Sequence, residues 1–167
     1  MTLVEHARMF AHGAHFAVGQ LRKYTNEPYI VHPFEVASIV ATVPHTEEML
    51  AAAWLHDVVE DTGVTLDQVH LLFGADVAKL VFWLTDVSKP EDGNRAARKA
   101  IDRAHIAAAP AAAQTVKLAD LISNTKSIMA HDEKFAKVYL EEKKLLLEVM
   151  TKAHPALMAE ARKHIGE

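Results

Sequence analysis

The chain has 167 residues, half of them apolar, a formal charge of −4 and no cysteine. That length and apolar share suit one domain with a packed core and not a disordered chain; the missing cysteines exclude disulfides and thiolate metal sites, so any transition metal must be held by nitrogen and oxygen. The acidic balance argues against general nucleic-acid binding, which rests on basic contacts to phosphates, but leaves room for a small anionic ligand held by a local group of cations.

Helical periodicity dominates and no stretch alternates with period two, so an all-α fold is expected, as a single domain over residues 1–167. The helices are expected at about 3–20, 33–43, 46–59, 66–73, 75–86, 92–108, 111–130, 132–152 and 155–165. The first ten residues carry Glu5, His6 and Arg8 within their apolar pattern and lack a signal-peptide core. The apolar runs are too short to span a bilayer, so a cytoplasmic protein is expected. Pro33, Pro44, Pro90, Pro110 and Pro155 all fall at proposed junctions, where a residue without an N–H does least harm. Thr46-Glu47-Glu48 and Thr65-Leu66-Asp67-Gln68 read as capped helix starts. Ser88 to Asn94, with Pro90 and Gly93, is the most loop-like stretch.

The chemistry concentrates in Ala52-Ala53-Trp54-Leu55-His56-Asp57-Val58-Val59-Glu60-Asp61. His56 and Asp57 are neighbours about 100° apart around a helix, so both can reach an ion that lies between their directions. Glu60 and Asp61 follow one turn later and can handle a water molecule near that ion, accepting or delivering its proton. Two further candidates complete a ligand set: His32 in Tyr29-Ile30-Val31-His32-Pro33, and Asp120 in Val116-Lys117-Leu118-Ala119-Asp120. Two histidines and two carboxylates from separate segments suit a catalytic metal centre with open positions, of the kind used on phosphate esters. Lys117, Asp120 and Asn124 share one helical face, so a lysine and an asparagine flank the aspartate and can meet a phosphate. Arg22-Lys23, just before Tyr29 and His32, adds positive charge.

Each signal alone has an ordinary reading. A His-Asp dipeptide is usually a solvated pair, His32-Pro33 a loop-to-helix junction, Asp120 a helix-surface acid. Their conjunction inside apolar helical segments changes the balance, because unpaired charge is costly there. His12 and His15 read as packing or surface residues, and the remaining histidines as structural or solvated. Lys143-Lys144 beside Glu141-Glu142 reads as an exposed salt-bridged face, and Trp54, Phe73, Phe82 and Trp83 as core.

These residues resemble a known family. Over roughly residues 3–150 the chain is similar to the HD-domain hydrolases of the alarmone ppGpp, in particular the free-standing small alarmone hydrolases related to the hydrolase half of RelA/SpoT proteins. The resemblance rests on the stretch from Ala14-His15 to Gln20-Leu21-Arg22-Lys23, Glu27-Pro28-Tyr29-Ile30-Val31-His32-Pro33, the His56-Asp57 and Glu60-Asp61 pairs, Leu84-Thr85-Asp86, Asn94-Arg95 and Val116-Lys117-Leu118-Ala119-Asp120-Leu121-Ile122-Ser123-Asn124-Thr125. It implies a compact helical HD fold and a manganese ion held by residues matching His32, His56, Asp57 and Asp120. It implies water activation by Glu60 and Asp61, attack on the 3′-pyrophosphate, and release of pyrophosphate with GDP or GTP. Residues matching Arg22, Lys23, Tyr29 and Asn124 line the family's nucleotide pocket; Lys117 matches the basic position before the last ligand, and Arg95 and Lys99 fall in a flanking basic helix.

The chain also departs from the long RelA/SpoT proteins. Its loop Tyr24-Thr25-Asn26-Glu27-Pro28 is slightly longer, which leaves guanine or adenine preference open, and Leu121 stands where arginine is usual. With nothing after residue 167, degradation and not synthesis of the alarmone is expected. A small-molecule nucleotide is the expected partner, with no nucleic acid and no membrane; the oligomeric state is left open. Two alternatives stand beside this reading: an HD-type phosphohydrolase of another nucleotide (an adenine alarmone or a 2′- or 3′-phosphorylated cofactor), and a nucleotide-binding module without catalysis.

Overall fold

Thr2, Thr46 and Thr65 each stand one residue before a helix and accept a backbone N–H from its first turn, from Glu5, Met49 and Gln68 respectively. Glu5 and Gln68 return the bond, closing two capping boxes. The computed structural model describes residues 1–167, which form two compact units, Met1–Thr85 and Asp86–Glu167. The only extended pairing is an isolated bridge between Leu21 and Pro28, so the fold is all-α. No helix is long and apolar enough to cross a membrane.

The first unit contains α1 (Leu3–Ala17), α2 (Val31–Val40), α3 (Glu47–Leu55), α4 (Val58–Asp61), α5 (Leu66–Phe73) and α6 (Ala75–Leu84). Its centre is α3, which packs against α1, α2 and α6. Ala51, Ala52, Ala53, Trp54 and Leu55 are all buried, and the run of alanines lets its neighbours approach closely. The second unit contains a 3-10 turn (Pro90–Asp92), α7 (Arg95–Ala108), α8 (Ala111–His131), α9 (Glu133–Val149) and α10 (Pro155–His164). Its centre is α8, with Val116, Leu118, Ala119, Leu121 and Ile122 inside. Gln114, fully buried, gives its amide N–H to Ile106 O at 3.0 Å and accepts Lys152 N–H at 2.8 Å, tying the α9–α10 turn to α8.

The expected helices are present, with instructive differences at their ends. The first stops at Ala17, three residues early, and Gly19 follows at φ +65°, a conformation glycine adopts without steric cost. The second begins at Val31, before Pro33, because a first-turn residue needs no intrahelical N–H bond; His32 therefore lies inside the helix. The expected helix 46–59 breaks at His56-Asp57, giving α3 and the single turn α4. Phe82 differs from its reading as core: it is 41% exposed, because Val77, Ala78, Leu80, Val81 and Leu84 occupy the inward stripe of α6.

Candidate metal centre

The break between α3 and α4 turns two adjacent side chains toward one point. His56, only 1% exposed, receives its place from the buried end of α3. Its Nδ1 lies 2.7 Å from Ala53 O. A carbonyl can only accept, so Nδ1 carries the proton and Nε2 keeps a lone pair. That Nε2 lies 3.2 Å from His32 Nε2 and 3.0 Å from Asp57 Oδ2. His32, 1% exposed on α2, has its Nε2 3.7 Å from the same Asp57 oxygen.

These three atoms fit a divalent cation. Ligands roughly 2.1 Å from an ion in octahedral geometry stand about 3 Å apart, close to the spacings observed. The donor chemistry agrees, with imidazole nitrogen and carboxylate oxygen, as an ion such as zinc or manganese accepts. Burying two imidazoles beside a carboxylate is costly without such a partner or a shared proton.

A loop holds the outer side of the cluster. Arg22 N–H donates to Glu27 O at 2.8 Å and Tyr29 N–H to Gln20 O at 3.2 Å, around the Leu21–Pro28 bridge. Asn26 sits at φ 57°, a left-handed position that asparagine tolerates. The loop brings the Tyr29 hydroxyl 2.5 Å from Asp57 Oδ2, where it donates to the carboxylate. The Arg22 guanidinium lies 5.9 Å from the centroid of the same tyrosine ring, while Lys23 turns its ammonium to Tyr24 at 5.1 Å. His32 meets the Tyr29 ring edge-on, centroids 5.8 Å apart.

On α4, Glu60 and Asp61 both reach solvent. Where the Asp61 carboxyl is shielded, loss of hydration pushes its pKa above the usual carboxylate range, and the charge of Asp57 adds to this. The Gln20 amide, donating to Asp61 Oδ2 at 2.9 Å, pulls the other way.

The remaining expected residues lie on α8 and are described within the second unit. Asp120 is 6% exposed and its carboxylate is shared by two donors: Lys117 Nζ at 2.9 Å and Asn124 Nδ2 at 2.7 Å. The helical face expected from the spacing is therefore formed. Arg95 makes a two-pronged pair with Glu142, at 2.6 and 2.9 Å, and Lys99 lies 3.8 Å from Asp86.

Two features escaped the sequence reading. Lys143 is half-buried and not part of an exposed charged face. Its ammonium lies 4.6 Å from the centroid of the buried Tyr139 ring. Burial, with the nearby charge of Lys117, pushes its pKa down to about 8, Asp120 opposing. His15, 1% exposed, is bonded to Gln20, while its neighbour on the helix, His12, faces solvent. The charge pattern assigned Lys143 to a solvated face, and the packing or surface reading of His15 named no partner; neither pattern carries information about groups outside the helix.

The comparisons with known proteins fit this arrangement. A family model described as the HD domain matches residues 7–146. A probable guanosine-3′,5′-bis(diphosphate) 3′-pyrophosphohydrolase of Synechocystis is 42% identical over 52% of this chain and 11% of its own length. A guanosine-3′,5′-bis(diphosphate) 3′-pyrophosphohydrolase of Aquifex aeolicus is 32% identical over 83% of this chain and 20% of its own length. The chain thus spans a fifth or less of these two relatives. A solved structure of a metazoan ortholog of SpoT, described as hydrolysing ppGpp and acting in starvation responses, superposes with a TM-score of 0.86 at 26% identity. That match covers 98% of this chain and 94% of the other.

Proposed function

The chain belongs to the HD domain family, and on that premise we propose that it works in the cytoplasm as a manganese-dependent 3′-pyrophosphohydrolase of guanosine alarmones. The reaction is (p)ppGpp plus water giving GDP or GTP plus pyrophosphate. The observation that carries the reading is the convergence of His32 Nε2, His56 Nε2 and Asp57 Oδ2 within 3.7 Å of one another, beside two solvent-facing carboxylates. The relatives named as 3′-pyrophosphohydrolases and the likeness to a ppGpp-hydrolysing SpoT ortholog support the choice of substrate.

In this reading His32, His56 and Asp57 hold the cation, with Asp120 as a further ligand. A bound divalent cation supplies Lewis-acid polarisation and a water that ionises near neutral pH. Tyr29 fixes one oxygen of Asp57 by its hydroxyl bond, so the carboxylate keeps its direction when the cation leaves or returns. Glu60 and Asp61 take the proton of the attacking water as its oxygen bonds the phosphorus next to the ribose. The 3′ oxygen departs and is protonated in turn. The upward shift of the Asp61 pKa is in the direction that favours a group that must both accept and return a proton. Arg22, Lys23, Tyr29, Lys117 and Asn124 are the substrate-binding residues of this reading, guanidinium and ammonium groups meeting the phosphates.

Rates measured side by side on ppGpp, pppGpp, an adenine analogue and a 2′-phosphorylated cofactor test the substrate. Faster turnover of the guanosine species supports the proposal. A clear preference for the adenine nucleotide or the cofactor keeps the enzyme class and replaces the substrate.

A further inference from the structure

Behind Asp61 lies a chain of polar contacts that the proposed reaction does not yet use. Gln20 Nε2 donates to Asp61 Oδ2 at 2.9 Å, and Gln20 Oε1 lies 2.7 Å from His15 Nδ1. The carboxylate decides the orientation of the whole series. An ionised Asp61 can only accept, so the amide nitrogen of Gln20 must face it and the amide oxygen must face His15. His15 must then present a protonated Nδ1, since two acceptors 2.7 Å apart would repel. Its Nε2 is left as a buried lone pair with no hydrogen-bond partner. Burial holds His15 below its ordinary pKa of 6.5, in keeping with a neutral ring of fixed tautomer.

Gln20 is itself locked by its backbone. Its N–H donates to His15 O at 3.1 Å and its carbonyl accepts from Tyr29 N–H at 3.2 Å. The His15 ring packs on the Tyr29 ring, centroids 4.7 Å apart, and the Tyr29 hydroxyl donates to Asp57. One residue pair therefore stands behind both arms of the site: Asp61 through the Gln20 amide, and Asp57 through Tyr29.

The arrangement answers a mechanical need. Asp61 ends a helix of four residues, too short to hold a side chain rigidly by itself. Anchoring Oδ2 from a segment 41 residues away fixes the carboxylate and leaves Oδ1 outside that bond. We infer that Gln20 and His15 are positioning residues for the hydrolytic reaction, holding Asp61 in its working orientation through a tautomer-locked His15–Gln20–Asp61 chain. This inference rests on the functional reading above.

The test uses Gln20→Met and His15→Phe, which keep volume and, for His15, the ring packed on Tyr29. With the manganese-loaded protein and ppGpp, kcat is expected to fall roughly ten- to hundredfold in Gln20→Met while KM and bound manganese stay unchanged. In an Asp61→Asn background the same substitution is expected to add no further loss, because the two residues act as a unit. Independent, multiplicative losses, or a change confined to KM or metal content, overturn the inference. Nitrogen-15 NMR of the histidines gives a reading that needs no substrate. A protonated Nδ1 and bare Nε2 on His15, becoming a tautomer mixture in Gln20→Met, supports the chain; a protonated Nε2 on His15 in the wild type overturns it. Wild-type protein that carries manganese but leaves ppGpp intact sinks the functional reading instead, and the NMR arm still decides whether the chain exists.

Discussion

The Tyr29 hydroxyl donates to Asp57 Oδ2 across 2.5 Å, and that same oxygen is the one that faces both His56 Nε2 at 3.0 Å and His32 Nε2 at 3.7 Å. A loop residue thereby orients the carboxylate of a proposed metal ligand 28 positions further along the chain. Arg22 lies over the same ring, so the loop that carries the proposed phosphate-binding charge also holds the tyrosine bonded to the carboxylate of the proposed ligand.

Removing the hydroxyl leaves the ring in place. Tyr29→Phe is expected to lower metal affinity or turnover about ten- to hundredfold, as loss of an outer partner of a ligand does. Manganese titration followed by activity, with circular dichroism to check that the helices persist, measures it. An unchanged affinity and rate would mean that Asp57 needs no such support.

Replacing a ligand itself acts more severely. Asp57→Ala is expected to lose bound metal and to lower turnover by more than about a hundredfold, beyond the effect of an outer partner. Elemental analysis of the dialysed protein, alongside its rate, separates this from misfolding. Full activity in Asp57→Ala would remove the basis of the proposed centre.

Glu60 is exposed on the short helix α4, outside the packed core. Glu60→Ala should therefore keep its metal and its melting temperature while kcat falls about 10²- to 10⁴-fold, the usual worth of a proton-transfer group. Equal losses of metal and activity would assign Glu60 to ligation instead.

The pH dependence of stability follows from His15. Its folded pKa is depressed by burial below 6.5, so on acidification the unfolded chain takes up the proton first. Stability from this group is complete above the unfolded value and is lost as pH falls toward the folded one. Asp61 has the opposite sign: its folded pKa is raised, so its contribution is present at acid pH and lost as pH rises through the folded value. Thermal melts in EDTA from roughly pH 7 to pH 5 should show a smaller drop for His15→Phe than for the wild type. Parallel curves would show that His15 protonates as readily when folded.

Lys143 offers a chemical readout of the second unit. With its pKa pushed down to about 8, its amine should react with an acylating reagent along a titration curve centred there, well below the ordinary lysine value of 10.5. Mass spectrometry of competitively labelled peptides gives the midpoint. A midpoint at the ordinary lysine value of 10.5 would place the Lys143 ammonium in water.

Much of the architecture was legible because it depends on local rules. Threonine caps, junction prolines and the 3.6-residue period mark where α3, α5 and α8 run, and the Lys117-Asp120-Asn124 face follows from helical spacing alone. The break at His56-Asp57 was not legible, since nothing in the two residues forbids a continuous helix; it depends on buried partners, His32 and Ala53 O, that come from packing. The inward or outward choice at Phe82 and Lys143 likewise belongs to what neighbouring helices leave open. His15 and Gln20 were visible as part of the family resemblance, but with no role attached to either. Their meaning lies in the link to Asp61, a tertiary relationship that no spacing encodes.

Purified protein incubated with ppGpp and manganese, with and without EDTA, and resolved by ion-exchange chromatography, tests the central claim most directly. The account predicts GDP and pyrophosphate in equal amounts, both abolished by the chelator. Intact ppGpp after incubation with protein shown to carry manganese, or product formation indifferent to EDTA, would contradict it.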